Sequence, residues 1–552
     1  MKSIIYFILF ALLNLSVVAS AQPKIYETNR DYEQGDWITY STTRFVNYVS
    51  IGDQYVYFAT TGGITRYNFY NNKWEFPWTI SNGLADNEIY LAAKDFNTGY
   101  LWAVTRAGIS YLEPASRLWH NVYYDEMGMG GEAVRSFGFG DDQRVYIKTS
   151  GGNWYFSDNQ FADFRATSAP SSQNHIQWHG KRQERSTQLP HFFMQGGYLF
   201  DNNRKVIDDT MLRNFTITTW VRDEWSNMWL GTWGLGAARG DINMLRLNLL
   251  KYGLWNKTVD AIAPDGEALW IGGMQDSKEP AGITQWFGPQ EKPNYYEPHL
   301  ITGFNNDRVT SIIADDRFVF FGTRGGLTYF DKHENIWKTL RNVHNMSDER
   351  ITDVVLDDQA AWAATLGGVS RVDRHSLVSD SLIVEHVLPS RLMVTAVHDL
   401  DMQDNIIWMG TELGLYRYDK RKRQGEFIVD VDFVSRPVFA VSVWKDEVWF
   451  GTDEGIGSMD INTKELLSVP SRLHSVDAAI NRMLATKQAV WVATNNGVLK
   501  YDRFGNRWRR YTVVDGLSDN LVYALYQDGD YMWFGTASGL TRFYWNAPYR
   551  TD

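Results

Sequence analysis

The chain has 552 residues, 44% hydrophobic and 22% charged, and its net charge of −11 becomes −12 once the leading segment, which holds Lys2 and no acid, is set aside. Such a composition is globular, and an acidic chain with no basic stripe excludes nucleic acid as an expected partner. Zero cysteines exclude disulfides, thiolate metal sites, a cysteine nucleophile and a lipid-modified cysteine, which leaves packing to stabilise the fold.

Residues 1–21 read as an export signal: Lys2, an apolar stretch over 4–18, then Ala19-Ser20-Ala21 as the cleavage site. No later stretch reaches the roughly 20 apolar residues of a membrane helix, so no membrane span is expected. The expected location is periplasmic or extracellular, at the cell surface.

Next comes GDWITY at 35–40, which reads as the outer strand of a blade that has no beginning. A phrase of the form W-x-G-T-x-x-G then starts at 57, 102, 146, 229, 270, 320, 362, 408, 449, 491 and 533, at spacings of 41 to 50 residues with one double gap. Inside that gap HFFMQGGYLFD at 191–201 matches the second half of the phrase, which brings the count to about twelve repeats, one degenerate. A period of roughly 40–45 residues points to propeller blades. Each repeat resolves into four strand signals. The Trp suits a central strand covered on both faces, the Thr a strand end, and the Gly a turn with positive φ or close backbone approach. A fourth strand carries its own aromatic, as at Trp74, Trp119, Trp337 and Trp508. After Phe543 the last fourth strand is missing, so residues 37–40 are expected to complete a blade begun elsewhere and close a ring.

The expected fold is therefore all-β, with about twelve four-stranded blades. Twelve exceeds the usual 4–8 per ring, which favours two β-propellers of six blades each, over 22–290 and 291–552. The crossover is placed at 288–298, which holds three of the 14 prolines. Seven plus five, a nested arrangement and a single ring stay open.

Catalytic signatures are absent: there is no G-x-S-x-G, P-loop or H-E-x-x-H. GMGG at 128–131 and GLG at 234–236 read as turns. DLDMQDN at 399–405 lacks the Gly and the closing Glu of a calcium loop and reads as a first-to-second strand turn, so no metal or cofactor is expected. Residues 171–192 concentrate His175, His179, His191, Lys181, Arg182 and Arg185 against Glu184 alone. In an acidic protein Lys181, Arg182 and Arg185 are candidates for binding an anionic glycan or partner surface, against the plainer reading of a solvated loop. Loops between second and third strands gather at a propeller's binding face. That places Arg106, Trp233, Arg324, Glu412, Asp453 and Asn496 near a funnel mouth as candidate ligand-binding residues.

The repeats resemble the two-component regulator propeller family, with LVYALYQDGDYMWFGTASGLTRF at 521–543 and the segment 308–331 following its pattern. NGLADN at 82–87 and DGLSDN at 515–520 are similar to its interblade loop. That resemblance implies an envelope sensor that binds carbohydrate at a propeller face. The chain departs from the family plan in showing no membrane helix, Tyr-rich module or kinase, so signalling through an output domain of its own is not expected. The paired-propeller body is also similar to that of a cell-surface component of the type IX secretion system, whose C-terminal sorting domain is not seen here. The expected function is recognition of a glycan or an envelope protein without catalysis. A propeller lyase or hydrolase with a metal-assisted funnel site, and a scaffold in a secretion or signalling assembly, are the alternatives.

Overall fold

The computed structural model describes residues 26–27, 32–129, 131–158, 163–170, 175–180, 189–274, 281–301, 303–304, 308–387, 395–428, 436–467 and 478–550. Eleven sheets, antiparallel except where Tyr26–Glu27 pairs in parallel with Arg507–Tyr511, follow one another along them: blades 1 to 11, at 46–74, 89–123, 134–179, 199–250, 261–296, 309–340, 351–386, 397–427, 438–460, 480–511 and 522–544.

The repeated phrase builds one turn again and again. At the end of the second strand of blade 6, Thr323 Oγ1 donates to Gly326 O (2.8 Å) and accepts the N–H of Gly325 (3.1 Å). The same pairing recurs at Thr60, Thr365, Thr411, Thr494 and Thr536. Gly326 has φ 128°, and a Cβ there would lie 2.3 Å from Leu340 O on the fourth strand, so no other residue fits. The phrase's Trp side chains fill the spaces between blades: Trp229, Trp270, Trp408 and Trp491 have no exposed surface.

Apolar cores between successive sheets set the order of the blades in space. They join 5 to 6 around Trp270 and Phe321, 6 to 7 around Phe320 and Ala361, 7 to 8 around Trp362 and Met409, and 8 to 9 around Trp408 and Phe450. They continue from 9 to 10 around Trp449 and Val492 and from 10 to 11 around Trp491 and Phe534. The cycle closes from 11 to 5, where Tyr40, Val259, Trp286 and Trp533 pack together. The outer strand missing after Phe543 is supplied by Trp37–Tyr40, which pairs with Gly539–Tyr544 in the register Trp37 to Phe543 and Tyr40 to Leu540. Trp37 stacks on Phe543 at 3.9 Å. A buried ion pair, Asp36 to Arg550 at 2.6 Å, clasps this strand to the C-terminal segment, and Tyr549 also donates to Asp36.

Blades 1 to 4 are inserted between the closing strand and blade 5. Cores join 4 to 1 around Trp229 and Val46, 1 to 2 around Phe58's neighbour Ala59 and Ala103, and 2 to 3 around Trp102 and Phe137. The chain leaves through 41–45 and returns through 251–256, side by side. Leu254 N–H donates to Ser41 O (3.0 Å), Thr43 Oγ1 to Tyr252 O (2.8 Å), and the Arg44 guanidinium lies 3.7 Å over Trp255.

Three expectations change. The division at 290/291 falls inside blade 5, between its strands Ile283–Trp286 and Asn294–Tyr296, and the proposed crossover at 288–298 contains the second of these strands. The prolines there flank an outermost strand, where a missing N–H is tolerated. The degenerate repeat is no blade of its own: Leu199–Asp201 and Val206–Asp208 form a hairpin added to the inner edge of blade 4. Residues 399–403 are not a turn but part of the inner strand Val397–Gln403, and the turn follows at Asp404-Asn405. Among the described residues no helix is long and apolar enough to cross a membrane.

Candidate functional site at the mouth of the blade 5 to 11 ring

In the ring the Thr-to-Gly turns lie at one end, the mouth, beside the start of each inner strand. Glu412 N–H, for example, donates to Ala396 O, and Asn495 N–H to Ala479 O. Here six of the ring's seven inner strands carry a β-bulge, with Thr310, Thr352, His398, Phe439, Asn481 or Tyr523 as the extra residue, and the four inserted blades carry the same bulge at Asn47, Tyr90, Arg135 and Thr218. A bulge re-aims its side chain out of the pleat. Where that residue is Thr or Asn, it staples its blade to the next by donating to the first carbonyl of the neighbouring inner strand. Thr310 reaches Ile351 O (2.8 Å), Thr352 reaches Val397 O (2.6 Å) and Asn481 reaches Val522 O (2.7 Å). Asn47 and Thr218 do the same in the inserted unit.

Within the ring, blades 8, 9 and 11 break the pattern, with His398, Phe439 and Tyr523 at the bulge, as Tyr90 and Arg135 do in the inserted unit. His398 shares a hydrogen bond with Glu412 (Nε2 to Oε2, 3.0 Å) and lies 5.3 Å from the Phe439 ring. Across from Phe439, Arg436 pairs with Glu454 (2.6 Å) and Asp453 (3.8 Å). On the far side of the mouth the Arg308 guanidinium lies over Tyr523 (5.4 Å) and bonds buried Asp260 (2.7 Å). Burial raises the Asp260 pKa, and the nearby Arg308 and Arg324 offset this only in part. The mouth therefore offers three aromatic faces among planar donors and carboxylates, a set able to stack on and hydrogen-bond a polyhydroxylated ligand.

The structure brings Arg324, Glu412, Asp453 and Asn496 to the turns of this mouth, the first three exposed and Asn496 half-buried. Arg106 and Trp233 do not join them. They sit on blades 2 and 4 of the inserted unit, where Arg106 pairs with Asp86 (3.1 Å) and Trp233 packs on Phe45 of the crossing segment (5.1 Å). Lys181, Arg182 and Arg185 lie outside the described residues. His398, Phe439 and Tyr523 escape sequence reasoning because a bulge leaves no spacing signature within one repeat. Comparing the second residue of every inner strand would have exposed them, since Thr and Asn recur there.

Below the mouth the lumen is crossed by a charge network. Arg482 of blade 10 reaches Asp353 of blade 7 (3.1 Å) and Asp399 of blade 8, past the small Ala440 of blade 9. Burial works against the charge of Arg482, but the two carboxylates more than offset it and its pKa moves up. Burial drives Asp399 well above the usual carboxylate range and lifts Asp401 to about 6. Each carboxylate also accepts an inner-strand N–H of blade 9, Val441 to Asp399 (2.8 Å) and Val443 to Asp401 (2.7 Å). Among the described residues no group of three or more His, Asp or Glu side chains is placed to hold a metal.

Residues 516–538 match the family profile described as two component regulator propeller. No curated protein matches the chain. PorZ, an essential surface component of the type-IX secretion system of Porphyromonas gingivalis, superposes with a TM-score of 0.61 at 14% identity, covering 92% of this chain and 87% of that one. The extracellular domain of the putative one component system BT4673 from B. thetaiotaomicron matches at 15% identity and a TM-score of 0.46, covering 98% of this chain and 83% of its own. At these identities the likeness to PorZ establishes a shared fold.

Proposed function

We propose that this chain, which carries two-component regulator propeller repeats, is an exported, non-catalytic binding protein of the cell envelope whose ring mouth recognises a glycan. The observation that carries this reading is the departure of His398, Phe439 and Tyr523 from the stapling residues found at the same bulge elsewhere. Within the ring this position staples blades 6, 7 and 10 and has been given up in blades 8, 9 and 11. Aromatic faces supply stacking area at low entropic cost, and Glu412, Asp453, Asn496 and Arg324 supply directional hydrogen bonds around them. A glycan array probed with the mature chain tests the reading. Binding to a defined glycan, weakened when Glu412 or Phe439 is replaced, supports it, and an array without signal contradicts it.

The likeness to PorZ over nearly the whole chain favours a second reading, a scaffold in a secretion or signalling assembly with an envelope protein as partner. Co-purification of one fixed envelope protein with the mature chain, on an array without glycan signal, would select this reading.

A further inference from the structure

At several seams the repeat places three aromatic rings between neighbouring blades. A second-strand Trp of one blade meets a third-strand ring of the next, and beside that ring stands a Trp of the outer strand. Trp270 of blade 5 meets Phe330 (5.8 Å between ring centroids) and Trp337 (6.4 Å) of blade 6. Trp449 of blade 9 meets Tyr501 of blade 10 (5.6 Å), with Trp508 beside it (5.1 Å). Trp229 of blade 4 meets Tyr67 of blade 1 (5.5 Å), with Trp74 beside it (5.1 Å). The strand register makes the three outer positions equivalent, because Trp337 pairs with Phe330, Trp508 with Tyr501 and Trp74 with Tyr67.

Between blades 7 and 8 the third ring is missing. Trp362 meets Tyr418 (5.9 Å), but the outer residue paired with Tyr418 is the exposed Gly425. The Tyr416 ring leans over that glycine, where a Cβ would meet it at 2.5 Å, whereas blades 1 and 6 carry Thr65 and Thr328 at the position of Tyr416. A cleft of about 900 Å³ opens in this seam towards the base, the end of the ring opposite the mouth. Trp362, Arg371 and Glu385, side by side across three strands of blade 7, form one wall, and Tyr418, Lys420 and Arg423 of blade 8 form the other. Ion pairs fix the walls. Lys420 pairs with Asp357 (2.9 Å) and Arg423 with Glu385 (4.0 Å) across the seam, and Arg371 pairs with Glu385 (3.3 Å) within blade 7.

Three of the four consecutive cations at 420–423, the longest such run in the chain, line this cleft, and Arg371 adds a fourth. Four carboxylates, of Asp357, Asp358, Glu385 and Asp404, balance them. A site with balanced charge exerts no net pull on an ion of either sign. Its groups suit hydroxyls instead, since a sugar hydroxyl can donate to a carboxylate and accept from a guanidinium at once. Buried Trp362 and Tyr418 supply an aromatic floor, and the volume lies within the range of about 300–1,000 Å³ usual for small-ligand sites.

We propose that the cleft between blades 7 and 8 is a second ligand site, which binds a neutral oligosaccharide. It lies at the opposite end of the ring from His398, Phe439 and Tyr523, and it does not rest on the reading of the mouth.

An array of neutral and charged oligosaccharides, probed with the mature parent chain and four variants, tests the site. Arg423→Ala and Glu385→Ala alter exposed side chains and should melt with the parent, yet each should weaken binding to the same neutral glycan about tenfold. The mouth variant Phe439→Thr/Tyr523→Thr should leave that signal in place. Tyr416→Thr/Gly425→Trp installs the pair found in blade 6, Thr328 and Trp337, and should abolish the signal while melting at or above the parent temperature. Should this filled variant melt lower, the two exposed substitutions decide the question. The site is overturned by an array without a neutral glycan signal, by a neutral signal that both exposed substitutions leave unchanged, or by losses confined to charged glycans. A neutral signal lost only in the mouth variant overturns the cleft and leaves the mouth reading standing, whereas one lost only in the cleft variants supports the cleft and contradicts the mouth.

Discussion

At Gly539 a methyl group has nowhere to go, since φ is 140° and a Cβ would lie 2.5 Å from Tyr40 O on the closing strand. Gly539→Ala should therefore cost about 2 kcal/mol or more in urea denaturation, whereas Gly529→Ala, with a positive φ but open space, should cost about 1. Two buried titratable side chains give opposite pH signatures. Asp401 has its pKa raised to about 6 by burial, so its contribution is full below the unfolded value of about 4 and is lost as pH rises through 6. Asp401→Asn should become more stable relative to the parent between pH 4.5 and 7.5, by up to about 2–3 kcal/mol. His179, set between Phe137 and Phe139 and bonded to Tyr48 (3.2 Å), has its pKa lowered to about 4 by burial. Its contribution is full above about 6.5 and is lost as pH falls through 4, so His179→Phe should lessen acid sensitivity in the same urea series. These Gly and Thr roles were legible in the sequence, because a residue needed for backbone reasons recurs at every copy. The roles of Asp401 and Asp399 were not, since they lie on the inner strand Val397–Gln403 where the spacing implied a turn, and their partners come from other blades.

Among the elements, the closing strand Trp37–Tyr40 completes the sheet of blade 11 from the other end of the chain. Its orphan character was readable from its outer-strand pattern, but the clasp beneath it was not, because Asp36 and Arg550 are 514 residues apart and belong to no repeat. Arg550→Ala leaves the Asp36 carboxylate buried beside Tyr549 without its cation, and should cost about 3 kcal/mol. A lowered melting temperature, with early exchange of the Gly539–Tyr544 amides, would show it. Equal melting temperatures would mean that stacking of Trp37 on Phe543 suffices to hold the strand.

For the whole molecule, the phrase count revealed a propeller fold and hid ring membership. Every repeat carries the same inner strand and turn, so nothing in the period tells a blade which neighbours it has. The proline content at 288–298 pointed to a boundary, whereas the chain actually crosses between units through 41–45 and 251–256, short segments without such a mark. Because those segments run side by side, replacing residues 46–250 with a short Gly-Ser turn should leave blades 5 to 11 folded, with a cooperative melt and the Trp37–Tyr40 amides still protected. Loss of that protection would show that the inserted unit is needed to close the ring.

Within the ring, the bulge positions that abandon stapling, His398, Phe439 and Tyr523, are the ones proposed to read a ligand. The double variant Phe439→Thr/Tyr523→Thr puts the stapling residue back at blades 9 and 11, and a glycan array run beside a melting curve measures both consequences at once. The melting temperature should equal or exceed the parent's while the glycan signal is lost. A glycan signal that survives in the well-folded double variant would contradict it.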